Sequence, residues 1–222
     1  MKCSNCQTDM IENLTLIEWF KTSDVLCTCC QQQFFRLKDT TTCPGCGRKN
    51  DGILCSDCQR WREIQGYTLQ NRALFAYDEG FQRWIEAYKF KGDYRLRKAF
   101  AQELKQELQN YSDFLFCPIP LSKERFDQRG FNQVIGCLEA ANCSYELLLK
   151  RKEDGTPQAM KKRFERLQMP QPYELEEDES KIRDKNILII DDVYTTGRTL
   201  FHAAEILYEN GVKTVQSLSF AR

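Results

Sequence analysis

One histidine, His202, is all that the 222 residues contain, so a mechanism built on histidine general-base chemistry has a single candidate. His202 falls one turn into a helix pattern, where it reads as an ordinary helix-face residue rather than a catalytic base. Uninterrupted apolar runs of ~18 residues are also absent, which argues against membrane insertion. Met1-Lys2-Cys3 leads into no apolar segment of the export type, so the expected location is cytoplasmic. Net charge is missing too: Lys+Arg and Asp+Glu both number 32, which leaves the overall balance silent about partners. Its distribution says more, being neutral over 1–66, +4 over 67–170 and −4 over 171–222.

Cysteine, by contrast, is plentiful, and nine of the 12 fall within the first 58 residues. Eight of them form four Cys-x-x-Cys knuckles: Cys3/Cys6, Cys27/Cys30, Cys43/Cys46 and Cys55/Cys58. In a reducing compartment such thiols are metal ligands more naturally than a disulfide framework. Two knuckles complete a tetrahedral shell of four thiolates, so eight ligands suggest two structural zinc ions with no open position for water. Sequential pairing and an interleaved cross-brace both satisfy the spacing, and redox thiols or a single occupied site are the competing readings. Cys29 is either a bystander or a replacement for Cys27 or Cys30. Cys117, Cys137 and Cys143 read as small buried apolar side chains. Leu14, Leu16, Ile17, Trp19 and Phe20 offer a small apolar cluster for a metal-dependent module over 1–66.

Residues 67–222 alternate strand and helix signals. Short strands are expected within 67–77, followed by a helix over 81–90 that Gly92 breaks and a second helix over about 94–108. A strand at 114–117 ends in Pro118-Ile119-Pro120, and a basic loop with Lys123, Arg125 and Arg129 leads through Gly130-Phe131-Asn132-Gln133 into another helix. The carboxyl-terminal part reads as a βαβ unit: strand 187–190, helix about 199–209 closed by Asn210-Gly211, strand 214–220. Between them, the five carboxylates of Glu174 to Glu179 read as a solvated connection.

The sharpest chemistry lies where strand 187–190 ends. Asp191 and Asp192 stand at its tip, where open α/β sheets bind ligands, and Val193 leads on to Thr195, Thr196, Gly197, Arg198 and Thr199 before a helix. Such a turn makes an anion cradle, and paired carboxylates can accept hydrogen bonds from ribose hydroxyls or hold Mg²⁺ through its waters. This segment resembles the 5-phosphoribosyl-1-pyrophosphate (PRPP) motif of type I phosphoribosyltransferases. The resemblance implies ribose contact by Asp191 and Asp192, 5-phosphate contact by Thr195 to Thr199, and PRPP bound with Mg²⁺. Lys123, Arg125 and Arg129 would meet the pyrophosphate.

Pro118-x-Pro120, Arg129-Gly130-Phe131-Asn132-Gln133, Thr156-Pro157-Gln158 and the acidic-pair segment, preceded by cysteine knuckles, together resemble the ComF family. Beyond Gln158 the chain departs from the family pattern: it has Lys161-Lys162 where a Leu-Ser step is usual, keeps Arg166, and lacks the Asn that normally follows. The resemblance implies a zinc ribbon over 1–66 joined to a phosphoribosyltransferase-like α/β domain over 67–222, with a mostly parallel sheet flanked by helices. It further implies a role in natural transformation, handling single-stranded DNA beside a DNA-translocating helicase. Alternatives are a PRPP-dependent transferase with an unidentified acceptor and a PRPP sensor without turnover. Lys89, Lys91, Arg95 and Arg97 interleave with Tyr88, Phe90 and Tyr94 as a nucleic-acid contact would require, and Lys150-Arg151-Lys152 and Lys161-Lys162-Arg163 offer further cations.

Overall fold

The computed structural model describes residues 2–4, 6–10, 25–38, 40–152, 171–176 and 178–222. The apolar cluster at Leu14 to Phe20 and the segment holding Thr156 to Arg166 lie outside the described residues.

Four strands, β1 (Asn71–Phe75), β2 (Phe114–Pro118), β5 (Asn186–Val193) and β6 (Thr214–Ala221), form one sheet in the order β1-β6-β5-β2, with every pair parallel. A short antiparallel pair, β3 (Leu149–Arg151) and β4 (Tyr173–Leu175), stands apart from it. Parallel sheets need cover on both faces, and Ile187 to Ile190 of β5 are all 0% exposed. Alternation sends Leu188 and Ile190 into one core and Ile187 and Ile189 into another.

The first core is built by α3 (Glu79–Phe90), α4 (Ala101–Leu108) and α6 (Gln133–Ala140), through Phe81, Trp84, Tyr88, Leu104, Val134 and Leu138. The second is built by α7 (Arg198–Glu209), through Leu200, Phe201, Ala204 and Leu207. The cysteine region divides between them. Cys3 and Cys30 belong to the first core, with short helix α1 (Thr28–Gln31) nearby; Cys43, Cys46 and Cys58 belong to the second, where α2 (Ser56–Gln65) begins right after Cys55. The chain passes from one face to the other along the outer edge of β1, where Leu37 N donates to Leu74 O at 2.9 Å and Ala76 N to Phe35 O at 2.8 Å. At the opposite edge Glu146 N reaches Phe116 O of β2 at 2.8 Å.

α3 follows from local rules. Asp78 accepts a hydrogen bond from Phe81 N at 2.9 Å, and Phe81, Trp84, Ile85 and Tyr88 recur at helical spacing on the buried side. Three sequence expectations need correcting. The helix expected over about 94–108 is a 3₁₀ turn at Tyr94–Lys98 followed by α4, with Phe100 out of helical geometry between them at φ −137° and ψ 32°. There Leu96 O accepts from Trp84 Nε1 at 3.1 Å and Phe100 turns inward onto Trp84 and Phe220, so tertiary packing overrides the helical period. The basic loop expected after Pro120 contains a helix, α5 (Lys123–Arg129), started by Ser122 and ended by Gly130 in the left-handed region. β5 runs three residues beyond Ile190 because β6 continues beside it to Ala221, so Asp191 and Asp192 sit within the strand's end. Cys117 and Cys137 are buried, and Cys143 only partly.

Gly80 marks where the cysteine segment meets α3. A Cβ there would stand 2.3 Å from Gln33 O, a backbone atom with little room to retreat. Gly80→Ala is expected to lower stability by about 1–3 kcal/mol in urea denaturation.

Candidate functional site

Two groups of four thiols come together, Cys3/Cys6/Cys27/Cys30 and Cys43/Cys46/Cys55/Cys58, each with its sulfur atoms within 4.8 Å of one another. The sequential pairing is therefore the one the fold adopts. Sulfurs 2.3 Å from a tetrahedral ion stand about 3.8 Å apart; Cys6 and Cys27 are 3.6 Å apart and Cys46 and Cys55 3.7 Å, far beyond a disulfide. Backbone N–H groups already face the sulfurs: Cys27 N to Cys3 Sγ at 3.3 Å, Cys30 N to Cys27 Sγ at 3.5 Å, and Cys55 N to Cys43 Sγ at 3.3 Å. The donor set suits a divalent ion such as zinc, and neither group leaves a position for a reacting water. Cys29 is exposed and belongs to neither.

The two adjacent carboxylates meet different surroundings. Asp192 shares the face of Leu188 and Ile190, is 7% exposed, pairs with Lys89 Nζ of α3, and accepts from Gln133 Nε2 of α6. Gln133 Oε1 in turn accepts from Arg129 Nη1 at 3.0 Å, and Arg129 lies over the Phe90 ring at 5.4 Å. Among the described residues Asp191 keeps a local contact, its Oδ1 accepting from Asp192 N at 2.9 Å. Burial first, and the Asp192 charge second, push the Asp191 carboxyl above the usual carboxylate range, while Lys89 and Arg125 partly offset them.

After β5, Tyr194 N bonds Ala221 O at 2.9 Å and the chain turns through Thr195 and Thr196 to Gly197, whose φ of +83° favours glycine. A Cβ at 197 would also come 2.3 Å from the Tyr194 hydroxyl. Gly197 has no side chain to cap α7, and of the helix's first N–H groups only that of Arg198 has a side-chain acceptor among the described residues, a long bond to Thr196 Oγ1 at 3.5 Å, so the next ones can face an anion. Thr195, Thr196, Arg198 and Thr199 are exposed around this turn. Its carbonyls are tied from behind: Trp61 Nε1 donates to Thr196 O at 2.7 Å, and Arg222 Nη1 to Thr195 O at 2.8 Å and Tyr194 O at 3.2 Å. The Cys46 thiol is held low, first by its bond with Cys58 and further by the Arg222 guanidinium.

The remaining sequence candidates scatter. Lys123 and Arg125 are exposed on α5. Lys89 is turned inward onto Asp192. Arg95 pairs with neighbouring Asp93 at 2.9 Å, Arg97 meets Glu139 at 3.4 Å and lies over the Tyr94 ring at 4.5 Å, and Lys91 is exposed at the end of α3. His202 faces Glu205 at 3.8 Å, and burial lowers its pKa. Trp61 and Arg222 carry no local signal in the sequence, since their partners lie 135 and 27 residues away.

A family model described as "Phosphoribosyl transferase domain" matches residues 131–222. Over its full length the chain is 37% identical to the competence protein ComFC of Streptococcus pneumoniae, strain ATCC BAA-255 / R6, covering all of both chains. It is 33% identical to ComFC of Bacillus subtilis strain 168, over 99% of this chain and 94% of the relative. The DNA utilization protein YhgH of Escherichia coli O157:H7 is 30% identical over 44% of each chain.

Purified chain is expected to carry two zinc ions by elemental analysis, and Cys46→Ser to lower the melting temperature more than Cys6→Ser, because Cys46 is buried and Cys6 exposed. The carboxylates should also differ in urea denaturation at pH 8. A pKa raised by folding means that ionised Asp191 opposes the fold above the unfolded carboxylate range, so Asp191→Asn is expected to stabilise by about 1 kcal/mol. Asp192→Asn leaves Lys89 largely buried without its partner and is expected to cost about 3 kcal/mol.

Proposed function

We propose, for a chain that belongs to the ComFC family of competence proteins, that it works in natural transformation by handling single-stranded DNA, and that its α/β part binds PRPP or a similar phosphosugar. One observation carries the phosphosugar reading: the end of β5 sets two carboxylates beside an uncapped, glycine-turned helix N-terminus. Asp191 and Asp192 accept hydrogen bonds from the ribose diol, and the turn from Thr195 to Thr199 holds the 5-phosphate with its N–H groups and hydroxyls. Val193 precedes that turn and Arg198 lies within it. Lys123, Arg125 and Arg129 face the pyrophosphate from α5, with Arg129 steadied by Gln133.

The carboxylate pair also suits Mg²⁺ held through water, where the ion would neutralise pyrophosphate charge. Asp192 is the more constrained of the two because Lys89 and Gln133 already hold it. What the chain's own groups do is bind and orient a phosphorylated sugar at a strand tip.

Support for the nucleic-acid role comes from family membership and from a groove of about 760 Å³ beside α5. Lys123, Lys150, Arg151 and Lys152 line it together with Phe126, which is 50% exposed. Cations beside an exposed ring suit a single strand, through phosphate contact and base stacking. Lys91, Arg95 and Arg97 supply a second basic stretch, and a helicase of the competence machinery is the protein partner in this reading. Residues 1–66 form the zinc-binding part and 67–222 the phosphoribosyltransferase-like part. A cytoplasmic location accords with 12 cysteines of which none is in a disulfide, and no described helix is long and apolar enough to cross a membrane.

Calorimetric titration with PRPP and Mg²⁺ tests the pocket. Wild type is expected to bind, and Asp191→Asn/Asp192→Asn to lose binding while keeping both metal ions; equal affinity in the double variant would sink the assignment. Single-stranded DNA affinity should fall steeply as salt rises.

A further inference from the structure

Behind the glycine turn, on the side away from the open N–H groups, lies a connection that the phosphosugar reading does not use. Arg222 follows β6, and its backbone is fixed on both sides: its N donates to Phe75 O at 3.1 Å, and its O accepts from Tyr77 N at 3.1 Å. Its side chain is 8% exposed and lies over the Tyr194 ring at 4.7 Å. Nη1 is spent on the Tyr194 and Thr195 carbonyls, but among the described residues Nε and Nη2 are buried with no hydrogen-bond partner, and the Asp57 carboxylate is 3.7 Å from Nη2. Two unpaired nitrogens, with three N–H groups between them, are costly on a buried cation. The Cys43/Cys46/Cys55/Cys58 group lies on the same side of the sheet, and Asp57, the residue before ligand Cys58, is the point where α2 comes within 3.7 Å of the guanidinium. Four thiolates around a divalent ion carry a net double negative charge, the anion that this half-satisfied guanidinium lacks.

A second strut starts from the same metal group. α2 begins after ligand Cys55 and contains ligand Cys58; Trp61, one turn further on, donates to Thr196 O at 2.7 Å and stacks on Phe201 of α7 at 4.3 Å and 14°. Three successive carbonyls, those of Tyr194, Thr195 and Thr196, are thus drawn backwards, one by a residue of the cluster's own helix and two by a guanidinium beside it. Carbonyls held on one side of a turn leave its N–H groups for the other, which is how a backbone cradle for an anion is made. The Cys3/Cys6/Cys27/Cys30 group packs into the other core.

We propose that Arg222 and Trp61 are positioning residues that couple the Cys43/Cys46/Cys55/Cys58 metal group to the turn at Thr195 to Thr199, so that metal at this group and phosphate at the turn strengthen each other. The inference rests on the phosphosugar reading of the turn. Linkage is reciprocal: a metal that steadies the cradle is itself held more firmly when the cradle is filled. Of the two metal ions, only the one beside Arg222 responds.

The test uses the zinc-loaded full chain with ribose 5-phosphate as probe. Two quantities are followed, probe affinity by calorimetry and zinc release to a chromophoric chelator. For wild type, saturating probe is expected to slow one of two release phases by about tenfold and leave the other unchanged. Trp61→Phe keeps the ring on Phe201 but removes the N–H donor, and Arg222→Lys keeps the charge but removes the planar fork. Each is expected to retain two zinc ions, to bind probe about tenfold more weakly, and to lose the protected phase. A variant that merely loosened the fold would speed both phases with and without probe. Wild-type binding with release indifferent to probe, or variants that bind like wild type, would overturn the coupling and leave the pocket standing. Failure of wild type to bind ribose 5-phosphate or PRPP would remove the pocket reading, and the coupling with it.

Discussion

The burial of β5 on both faces is the constraint from which the rest of the architecture follows. Four consecutive isoleucine and leucine side chains with no exposure alternate between two cores, so helices must close both sides of the sheet. The same alternation continues into the functional residues. Asp192, in phase with Leu188 and Ile190, is driven towards α3 and α6, where Lys89 and Gln133 satisfy it. Asp191, in phase with Ile187 and Ile189, turns to the other side and meets no cation at contact distance among the described residues. Two identical side chains, neighbours in sequence, thereby acquire different chemistry: one is an ion-pair partner of Lys89, the other a buried carboxyl whose charge its surroundings disfavour. That division is a property of the strand's period of two rather than of the motif as a string of letters.

What the sequence made legible is what depends on nearby residues. The β5–α7–β6 unit could be read because its apolar run, glycine turn and Asn210-Gly211 stop all act within a few residues. The knuckles could be read for the same reason, whereas their pairing could not, since it depends on which core each half of the cysteine region enters. The break at Phe100 escaped because helical spacing persists through it, and only the bond from Trp84 Nε1 to Leu96 O and the space beside Phe220 explain it. Lys89 looked like a surface cation beside aromatic rings; its partner lies about a hundred residues away on another element. Trp61 and Arg222 were invisible for the same reason, each meeting the turn after β5 through carbonyls that any residue would have supplied.

The cysteine region is accordingly more than an appendage. Its first cluster shares a core with Phe34, Phe81 and Trp84, and its second with Ile187, Ile189 and Phe201. Metal binding in such a place is folding free energy for the neighbouring core as well as for the knuckles. Small metal modules usually stand on their own; here the cysteines complete the packing of the sheet they flank.

The course of the chain between the two clusters has a consequence for assembly. Residues Phe35 to Leu37 occupy the open hydrogen-bonding edge of β1, and the segment at Glu146 occupies part of that of β2. A parallel sheet with both margins engaged offers little template for strand addition by another polypeptide. A partner that meets this sheet at the β1 margin finds the Phe35 to Leu37 segment first, so recognition there is governed by side chains and can evolve without disturbing the ladder beneath.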